Sequence, residues 1–194
     1  GVEYAYHGVT HHSSVDSALV KSVENSAVFN PGSFDEFDKL FKQSYNNGKI
    51  NLFRATTKPH NVDINKLVKN NKFKAGKGIV VKKGNDLTII TTGHNLKIAI
   101  DSIEFLNKKK INPEIIYLPT IKPLDIDLIK KSTKKTKKFV VMEHQSSIGG
   151  LYSDICSHLM SDKGKTNIKG QNLSFGENFI HEYGTFDQHH KRLG

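Results

Sequence analysis

The feature that most constrains the fold is a short uncharged run, Leu87–Thr92, followed by a glycine and an amphipathic segment. The run is rich in β-branched residues, which is typical of a strand buried on both faces of a parallel sheet. Gly93 ends the run, and His94 or Asn95 begins a segment whose apolar residues recur at helical spacing. Because a buried strand, a turn and a helix make the first half of a βαβ unit, we predict an α/β fold organised around this strand.

Length and composition exclude several classes of protein. The 194 residues suffice for one large domain or two small ones. The sequence has no apolar run long enough to cross a membrane, and its first residues do not form a signal sequence. The single cysteine, Cys156, excludes an internal disulfide framework and favours a reducing compartment. We therefore expect a cytoplasmic protein, and we assign no metal ligands because zinc-finger spacing of cysteine and histidine is missing.

The net charge of +10 comes mostly from lysine, and lysine is densest in Lys130–Lys138. Such a run can neutralise the phosphates of a polyanion. However, it lies between a helical pattern and a predicted strand, and no aromatic residue interrupts it. Lysine near a helix C-terminus also suits the helix dipole. We therefore predict a solvated helix end and loop, and we do not expect nucleic-acid binding.

The first part of the chain alternates between helical and strand patterns. Capping-box patterns predict helices that begin after Ser13 and Ser33, with Asp16 and Glu36 as the respective partners. Short strands are predicted at 27–29 and 50–53. The predicted apolar faces of the two helices consist of Val15, Ala18, Leu19 and Val23, and of Phe34, Phe37, Leu40, Phe41 and Tyr45. The polar segment 56–74 then predicts a linker with one helical turn at 64–68.

The second part of the chain predicts a small three-layer α/β domain with a mostly parallel sheet. Segments 78–81 and 87–92 flank a polar turn, so we predict that they pair as a hairpin. Pro119–Pro123 is predicted to be a constrained loop, and Asp125 is predicted to cap a helix. The remaining predicted elements are strands at 114–118, 139–142 and 167–169, a helix opened by Gly149 and Gly150, and a short helix containing Phe179, Ile180 and Tyr183.

Several segments also resemble one protein family, in the same order along the chain. The second part resembles the C-terminal domain of the transketolase family of thiamine-diphosphate enzymes, through Gly78–Val81 with Asp86–Gly93, Thr120–Asp125, Glu143–His144 with Ile148–Leu151, and Phe175–Gly176 before Tyr183–Gly184. The first part resembles the second half of the family's pyrimidine-binding domain, through Gly8–His12, Asp16, Val28–Pro31 and Ile50–Arg54. The resemblance implies a partial pyrimidine-binding domain over 1–58, a linker over 59–74 and a transketolase C-terminal-type domain over 75–194.

The resemblance implies the C-terminal portion of an enzyme that transfers a two-carbon ketol unit between sugar or sugar-phosphate substrates. Such an enzyme uses thiamine diphosphate and Mg²⁺, which are held mostly by an N-terminal diphosphate-binding domain or subunit. We therefore expect this chain to be inactive alone and to act within a homodimer or heterotetramer. Two alternatives keep the cofactor: a deoxyxylulose-phosphate-synthase-like enzyme and the beta subunit of a 2-oxoacid dehydrogenase. The alternative of another class is a non-catalytic assembly or dimerisation module.

The same resemblance implies three substrate-binding residues: His7, His11 and Arg54. His11 matches a histidine that binds a sugar oxygen or stabilises charge on it, which makes it the implied catalytic residue. Arg54 matches an arginine that grips a phosphate, a task suited to a guanidinium group. His7 stands where transketolases have an aspartate, so we expect a different substrate preference. Without the resemblance, His11 and Arg54 would each be interpreted as surface or capping residues.

Glu143, His144 and His94 form another candidate for a catalytic cluster. We prefer a structural interpretation, because the matching family domain carries no chemistry and serves packing and dimerisation. No cofactor-binding residue is assigned in this chain, and Cys156 is expected to be an inert thiol on an apolar helix face.

Overall fold

The computed structural model describes residues 5–68, 73–161, 167–178 and 180–193, which fold into helices and two sheets. The strands are β1 (Ser26–Phe29), β2 (Ile50–Phe53), β3 (Ile79–Lys82), β4 (Leu87–Thr91), β5 (Pro113–Tyr117), β6 (Thr120–Lys122), β7 (Lys138–Met142) and β8 (Lys169–Leu173). The helices are α1 (Asp16–Ser22), α2 (Phe34–Ser44), α3 (Ile64–Leu67), α4 (Asn95–Lys108), α5 (Ile126–Thr136), α6 (Leu151–Met160) and α7 (Phe186–Leu193). None of the helices in these ranges is long and apolar enough to span a bilayer. The predicted α/β class is confirmed.

The larger sheet has five strands in the order β3-β5-β4-β7-β8. β4 lies at its centre and runs parallel to both β5 and β7, and β7 runs parallel to β8. Ile89 and Ile90 on β4 are both buried, although they point to opposite faces of the sheet. The prediction of a parallel strand buried on both faces is therefore confirmed.

Helices cover both faces of this sheet and make the three predicted layers. On one face, Ile90 and Ile116 pack with Ile129 of α5 and Leu151 of α6. On the other face, Ile89 and Ile115 pack with a second cluster that includes Leu96 and Ala99 of α4. Because neighbouring strand residues alternate between the two clusters, the uncharged run of β4 supplies both cores at once.

The predicted hairpin between β3 and β4 is wrong. β5 lies between them, antiparallel to β3 and parallel to β4. The loop from β3 to β4 passes across the start of β5, where the backbone N–H groups of Asn85 and Asp86 donate to the carbonyl of Asn112. Gly84 permits this crossing, since a Cβ there would lie 2.2 Å from the backbone of Pro113. In this arrangement β5 pairs with both β3 and β4. If β3 and β4 paired as a hairpin, β5 could not lie between them.

The smaller sheet has the order β2-β1-β6, with β1 parallel to β2 and antiparallel to β6. The interpretation of Pro119–Pro123 as a loop is therefore corrected, because Thr120–Lys122 is the strand β6. The Lys122 ammonium helps to hold this strand by donating to the carbonyls of Lys21 and Val23, each at 2.9 Å. A strand from the predicted C-terminal-type domain thus completes the sheet of the first part, and the predicted domain limits stay a prediction.

α1 differs from its prediction at both its start and its buried face. It begins at Asp16, and Val15 rather than Ser13 is its N-cap residue. Of the predicted apolar face, Val15, Leu19 and Val23 are exposed and Ala18 is half-buried, whereas Ser17 is buried. The reason is that α1 packs through polar contacts: the Gln145 amide donates to Ser17 Oγ at 2.7 Å.

α2 begins after Ser33 as predicted, and Ser33 Oγ accepts the N–H of Glu36. The Glu36 carboxylate is buried and accepts hydrogen bonds from Gly32 N–H and from the Tyr117 hydroxyl. It also contacts His60 Nε2 at 2.7 Å. Of the five residues of the predicted apolar face, Leu40 is buried, Phe37 is half-buried and the other three are exposed. Burial of a carboxylate on this helix therefore turns its aromatic residues outwards.

The segment after β2 contains the predicted helical turn as α3. Ile64 packs in the second core cluster and His60 is buried, so both ends of this segment contact the folded parts of the chain. Asp125 precedes α5 as predicted, but its carboxylate accepts the N–H of Gly78 and makes no capping bond to α5.

The C-terminal part departs most from its prediction. β8 begins at Lys169, two residues later than predicted. Ile180 and Tyr183 lie outside any helix, and Phe179 lies outside the described residues. The terminal helix is α7, whose Phe186 packs against Phe175. The terminal helix therefore lies later in the chain than predicted, at Phe186–Leu193, where few apolar residues mark its position.

The lysine-rich segment is mostly helical, since α5 continues to Thr136 and Lys137 ends it in the left-handed region. Lys135 differs from a solvated lysine, because its ammonium lies 2.5 Å from the buried carboxylate of Glu114. We expect Lys135→Gln to lower the free energy of unfolding by about 1 kcal/mol, because it removes a partner from a buried charge while Lys135 itself stays partly exposed.

Urea denaturation of the purified chain measures this loss. Lys138→Gln is the matched control, because Lys138 is exposed in the same segment; its effect should stay within about 0.5 kcal/mol. Equal effects of the two substitutions would show that the Glu114 contact contributes nothing.

Candidate functional site

His7 and His11 each end a single turn of 3₁₀ helix, Ala5–His7 and Val9–His11, and the two turns form one loop. Gly8 joins the turns with φ of +71°, a conformation that favours glycine. The two imidazole rings are exposed and lie with their centroids 4.8 Å apart. The structure therefore brings these two predicted site residues together at an accessible edge, where imidazoles can donate to or accept from a ligand.

Arg54, the third predicted site residue, directly follows β2 and is almost fully buried. Its Nε donates to the Asp16 carboxylate at 2.8 Å. Its Nη2 contacts the carbonyl oxygens of Ser13 and His144 at 3.3 and 3.4 Å. The guanidinium group therefore joins the first part of the chain to the segment after β7 and lies beside the loop that follows His11. Its role as a phosphate ligand stays a prediction.

A pocket of about 530 Å³ opens at the C-terminal ends of β7 and β8, beside the start of α4. Residues that line it include Asn95, Glu143, His144, Gln171, Phe175 and His190. Such a place, at the carboxyl ends of parallel strands, is where α/β sheets generally bind ligands.

Glu143 lines this pocket and has a structural role. Its carboxylate accepts the backbone N–H groups of Leu151 at 2.6 Å and Tyr152 at 3.1 Å, so it satisfies the start of α6. Burial raises the pKa of this carboxyl group, while the two N–H groups oppose the rise. These contacts support the structural interpretation of Glu143 that the sequence favoured.

Three histidines converge beside the pocket: His94 at the start of α4, His144 after β7 and His190 on α7. One ring nitrogen of each lies within 4.8 Å of those of the other two. The His94 and His144 rings have centroids 3.9 Å apart, and those of His144 and His190 lie 4.9 Å apart. Among the described residues, these are the three that could hold a metal ion.

Buried His144 and half-buried His190 both favour the neutral imidazole. Burial lowers the pKa of His144 well below its ordinary value, and the neighbouring His94 and His190 lower it further. Burial also lowers the pKa of His190, together with His94. Sequence reasoning singled out His94 and His144 but missed His190, because a helix about fifty residues further along carries it and no local pattern relates it to them.

Comparisons with known proteins agree with this architecture. The family model described as "Transketolase, C-terminal domain" matches residues 76–192. A solved structure described as a split-gene transketolase in an inactive beta4 tetramer superposes with a TM-score of 0.76 at 24% identity, covering 96% of this chain and 59% of that one. This similarity in structure supports the fold, in agreement with the three layers around a parallel sheet.

Three curated relatives show how the similarity is distributed. The beta subunit of the pyruvate dehydrogenase E1 component of Rickettsia bellii is 40% identical over 103 residues, 53% of this chain. The 1-deoxy-D-xylulose-5-phosphate synthase of Caldanaerobacter subterraneus is 29% identical over 96% of this chain. Human transketolase is 32% identical over 86% of it.

The chain spans less than a third of each of these relatives, namely 31%, 29% and 27% of their lengths. The family model, by contrast, matches more than half of this chain. Together with the order of the strands in the larger sheet, that match shows that the chain belongs to the transketolase family through its C-terminal domain.

Proposed function

We propose that the chain is the C-terminal portion of a transketolase-like enzyme that transfers a two-carbon ketol unit between sugar-type substrates. The observation that carries this proposal is the similarity to human transketolase, which extends over 86% of the chain and therefore beyond residues 76–192. The deoxyxylulose-phosphate synthase is the second candidate, because its similarity covers even more of the chain at a slightly lower identity. The E1 beta relative has the highest identity of the three but matches about half of the chain.

Thiamine diphosphate would supply the reactive carbon of such an enzyme, but the described residues do not fit its Mg²⁺. Magnesium prefers oxygen ligands. The described residues bring together three histidines as possible metal ligands and no comparable group of carboxylates. We therefore assign cofactor binding to an N-terminal diphosphate-binding domain or subunit.

An exposed aromatic face on α2 supports such a partner. Phe34, Phe37, Phe41 and Tyr45 form one row of stacked rings along this helix. Phe34 is 83% accessible and Tyr45 68%. Beside this row, β2 is an edge strand with Ile50 exposed. Large exposed apolar patches mark interaction sites. We propose that the cofactor-binding portion covers this aromatic face, since this chain spans only 27% of the length of human transketolase.

The proposed role of this chain in the reaction is to bind and orient the substrate through the loop of His7 and His11. Exposed imidazoles can donate hydrogen bonds to sugar oxygens, and a donor aimed at developing charge lowers the barrier. His7 in place of the family aspartate removes a carboxylate and introduces a ring N–H that can donate, so the proposed substrate presents an acceptor there.

The test of this function uses the native assembly, captured with an antibody against this chain. We expect ketol transfer between sugar phosphates that depends on added thiamine diphosphate, whereas the isolated chain should show little heat with the cofactor and Mg²⁺ in calorimetry. Formation of 1-deoxy-D-xylulose 5-phosphate, or consumption of pyruvate with an acyl acceptor, would favour the other two enzyme types. Capture of an assembly without any of these activities would favour the non-catalytic assembly module.

In an active assembly, His11→Ala should lower turnover by roughly 100- to 1000-fold, the loss expected for one stabilising donor. Stability should be retained because His11 is exposed. His158→Ala is the matched control, since His158 is exposed on α6, away from the proposed site. Steady-state kinetics at saturating substrate provide the measurement, and wild-type turnover in His11→Ala would remove this residue from the site.

A further inference from the structure

The histidine cluster of His94, His144 and His190 has the composition of a metal site. Its members come from three separate elements, namely the start of α4, the segment after β7 and the terminal helix α7. One ring nitrogen from each lies within 4.8 Å of the other two. Convergence of three imidazoles from distant parts of a chain is the arrangement by which three-histidine zinc sites are built, with a fourth position left open.

The surroundings of these nitrogens point to a ligand. His144 is buried, and its Nε2 has no hydrogen-bond partner among the described residues; the same holds for Nε2 of His190. Buried polar atoms of folded proteins normally have a partner. A metal ion would satisfy both nitrogens at once. Metal ions bind imidazole in its neutral form.

The nearby charges restrict the kind of ion. Arg54 donates to the His144 carbonyl, and the Lys58 ammonium lies 4.6 Å from the centre of the Phe186 ring, which packs against all three histidines. Asp187 on α7 opposes these positive charges near His190. With three neutral nitrogen ligands and little negative charge, the cluster suits ions that prefer imidazole and does not suit Mg²⁺ or Ca²⁺.

We propose that His94, His144 and His190 bind one divalent transition-metal ion of the zinc type, which fastens α7 to the C-terminal edge of the larger sheet. The fourth position of the ion faces the pocket of about 530 Å³ that His144 and His190 help to line, where water can enter. Binding requires the ring nitrogens to approach from within 4.8 Å to about 3.3 Å, the separation set by Zn–N bonds of about 2.0 Å in a tetrahedron. Rotation of the side chains, chiefly of His190 on the terminal helix, provides this movement.

The test of this site needs no enzyme activity, because metal binding is measured on the chain itself. The 194-residue chain is purified without a histidine tag, stripped with chelator and titrated with Zn²⁺ by calorimetry. We expect one ion per chain and a higher melting temperature with Zn²⁺, and no such shift with Mg²⁺. X-ray absorption of the zinc form should fit three imidazole nitrogens at about 2.0 Å. This spectrum identifies the ligands without any substitution.

Single substitutions locate the site. His144→Gln and His190→Gln should each weaken binding at least tenfold, whereas His158→Gln, at an exposed histidine of α6, should bind as the wild type does. His190→Gln is the safer variant for folding, because His190 is only half-buried on the terminal helix. Circular dichroism of each metal-free variant checks the fold.

Three results would overturn the proposal. The first is the lack of zinc binding by the wild-type chain, which would leave the cluster as aromatic packing around Phe175 and Phe186. The second is equal binding by the wild type and His190→Gln, which would place the ion at surface histidines such as His7 and His11. The third is an absorption spectrum dominated by oxygen ligands.

Discussion

Glu36→Ala is expected to lower the free energy of unfolding by about 3–5 kcal/mol, because it leaves three buried donors without their acceptor. The Glu36 side chain is 4% accessible, and its two oxygens contact Gly32 N–H and His60 Nε2, each at 2.7 Å, and the Tyr117 hydroxyl. Burial, followed by the charge of Glu36, raises the pKa of Tyr117 well above its usual range, so this hydroxyl keeps its proton for the bond.

The expected loss of stability is large because the hydrogen bonds of Glu36 join three separate parts of the chain. Glu36 belongs to α2, His60 to the segment after β2, and Tyr117 to β5 of the larger sheet. The carboxylate therefore links the first part of the chain, the predicted linker and the second part through one buried group. Loss of these bonds should also expose α2 to local unfolding, which hydrogen exchange would detect.

Urea denaturation followed by circular dichroism measures the loss. Asp38→Ala on the same helix is the matched control, because its pair with Lys42 is exposed and such pairs contribute about 0.5 kcal/mol or less. Tyr117→Phe removes one of the three donors without opening a large cavity and should cost about 1–2 kcal/mol. A change of less than 1 kcal/mol in Glu36→Ala would contradict the structural importance of this network.

Arg54→Ala is expected to lower the free energy of unfolding by about 3 kcal/mol. The Arg54 side chain is 7% accessible and its partner Asp16 29%, so the substitution leaves a partly buried carboxylate without its cation. The carbonyls of Ser13 and His144 lose a donor as well. Arg54→Lys should cost less, because an ammonium keeps the charge opposite Asp16 but cannot span all three acceptors.

Thermal and urea unfolding of the two variants provide the measurement. Lys39→Ala is the control, because its pair with Asp35 is exposed on α2 and its loss should stay within about 0.5 kcal/mol. The same variants test the predicted phosphate contact in the active assembly. A folded Arg54→Lys with a raised KM for phosphorylated substrates would support that contact. If Arg54→Ala were as stable as the wild type, the ion pair with Asp16 would not contribute to the free energy of unfolding.

The sequence by itself determined the elements that depend on local patterns. The uncharged run of β4 predicts a strand buried on both faces, and the structure places it between two parallel neighbours. Ser33 predicts the start of α2, since an N-cap hydroxyl and its N–H partner lie three residues apart. The ordered segments from Gly78 to Gly184 also point to the family whose C-terminal domain matches residues 76–192. Each of these signals lies within short stretches of chain.

Only the tertiary structure decided which distant segments meet. Adjacent strands in the sequence favour a hairpin, but the apolar β5 is buried when it separates β3 from β4. The proline-flanked segment Pro119–Pro123 is predicted to be a loop from its sequence, but its central residues pair with the edge of β1 as the strand β6. Leu19 on α1 is exposed because Ser17 and Gln145 bond across the contact between the two parts. His190 joins His94 and His144 only because α7 folds back over the sheet edge. Pairing of this kind depends on the free energy of the whole fold, which no short stretch of sequence contains.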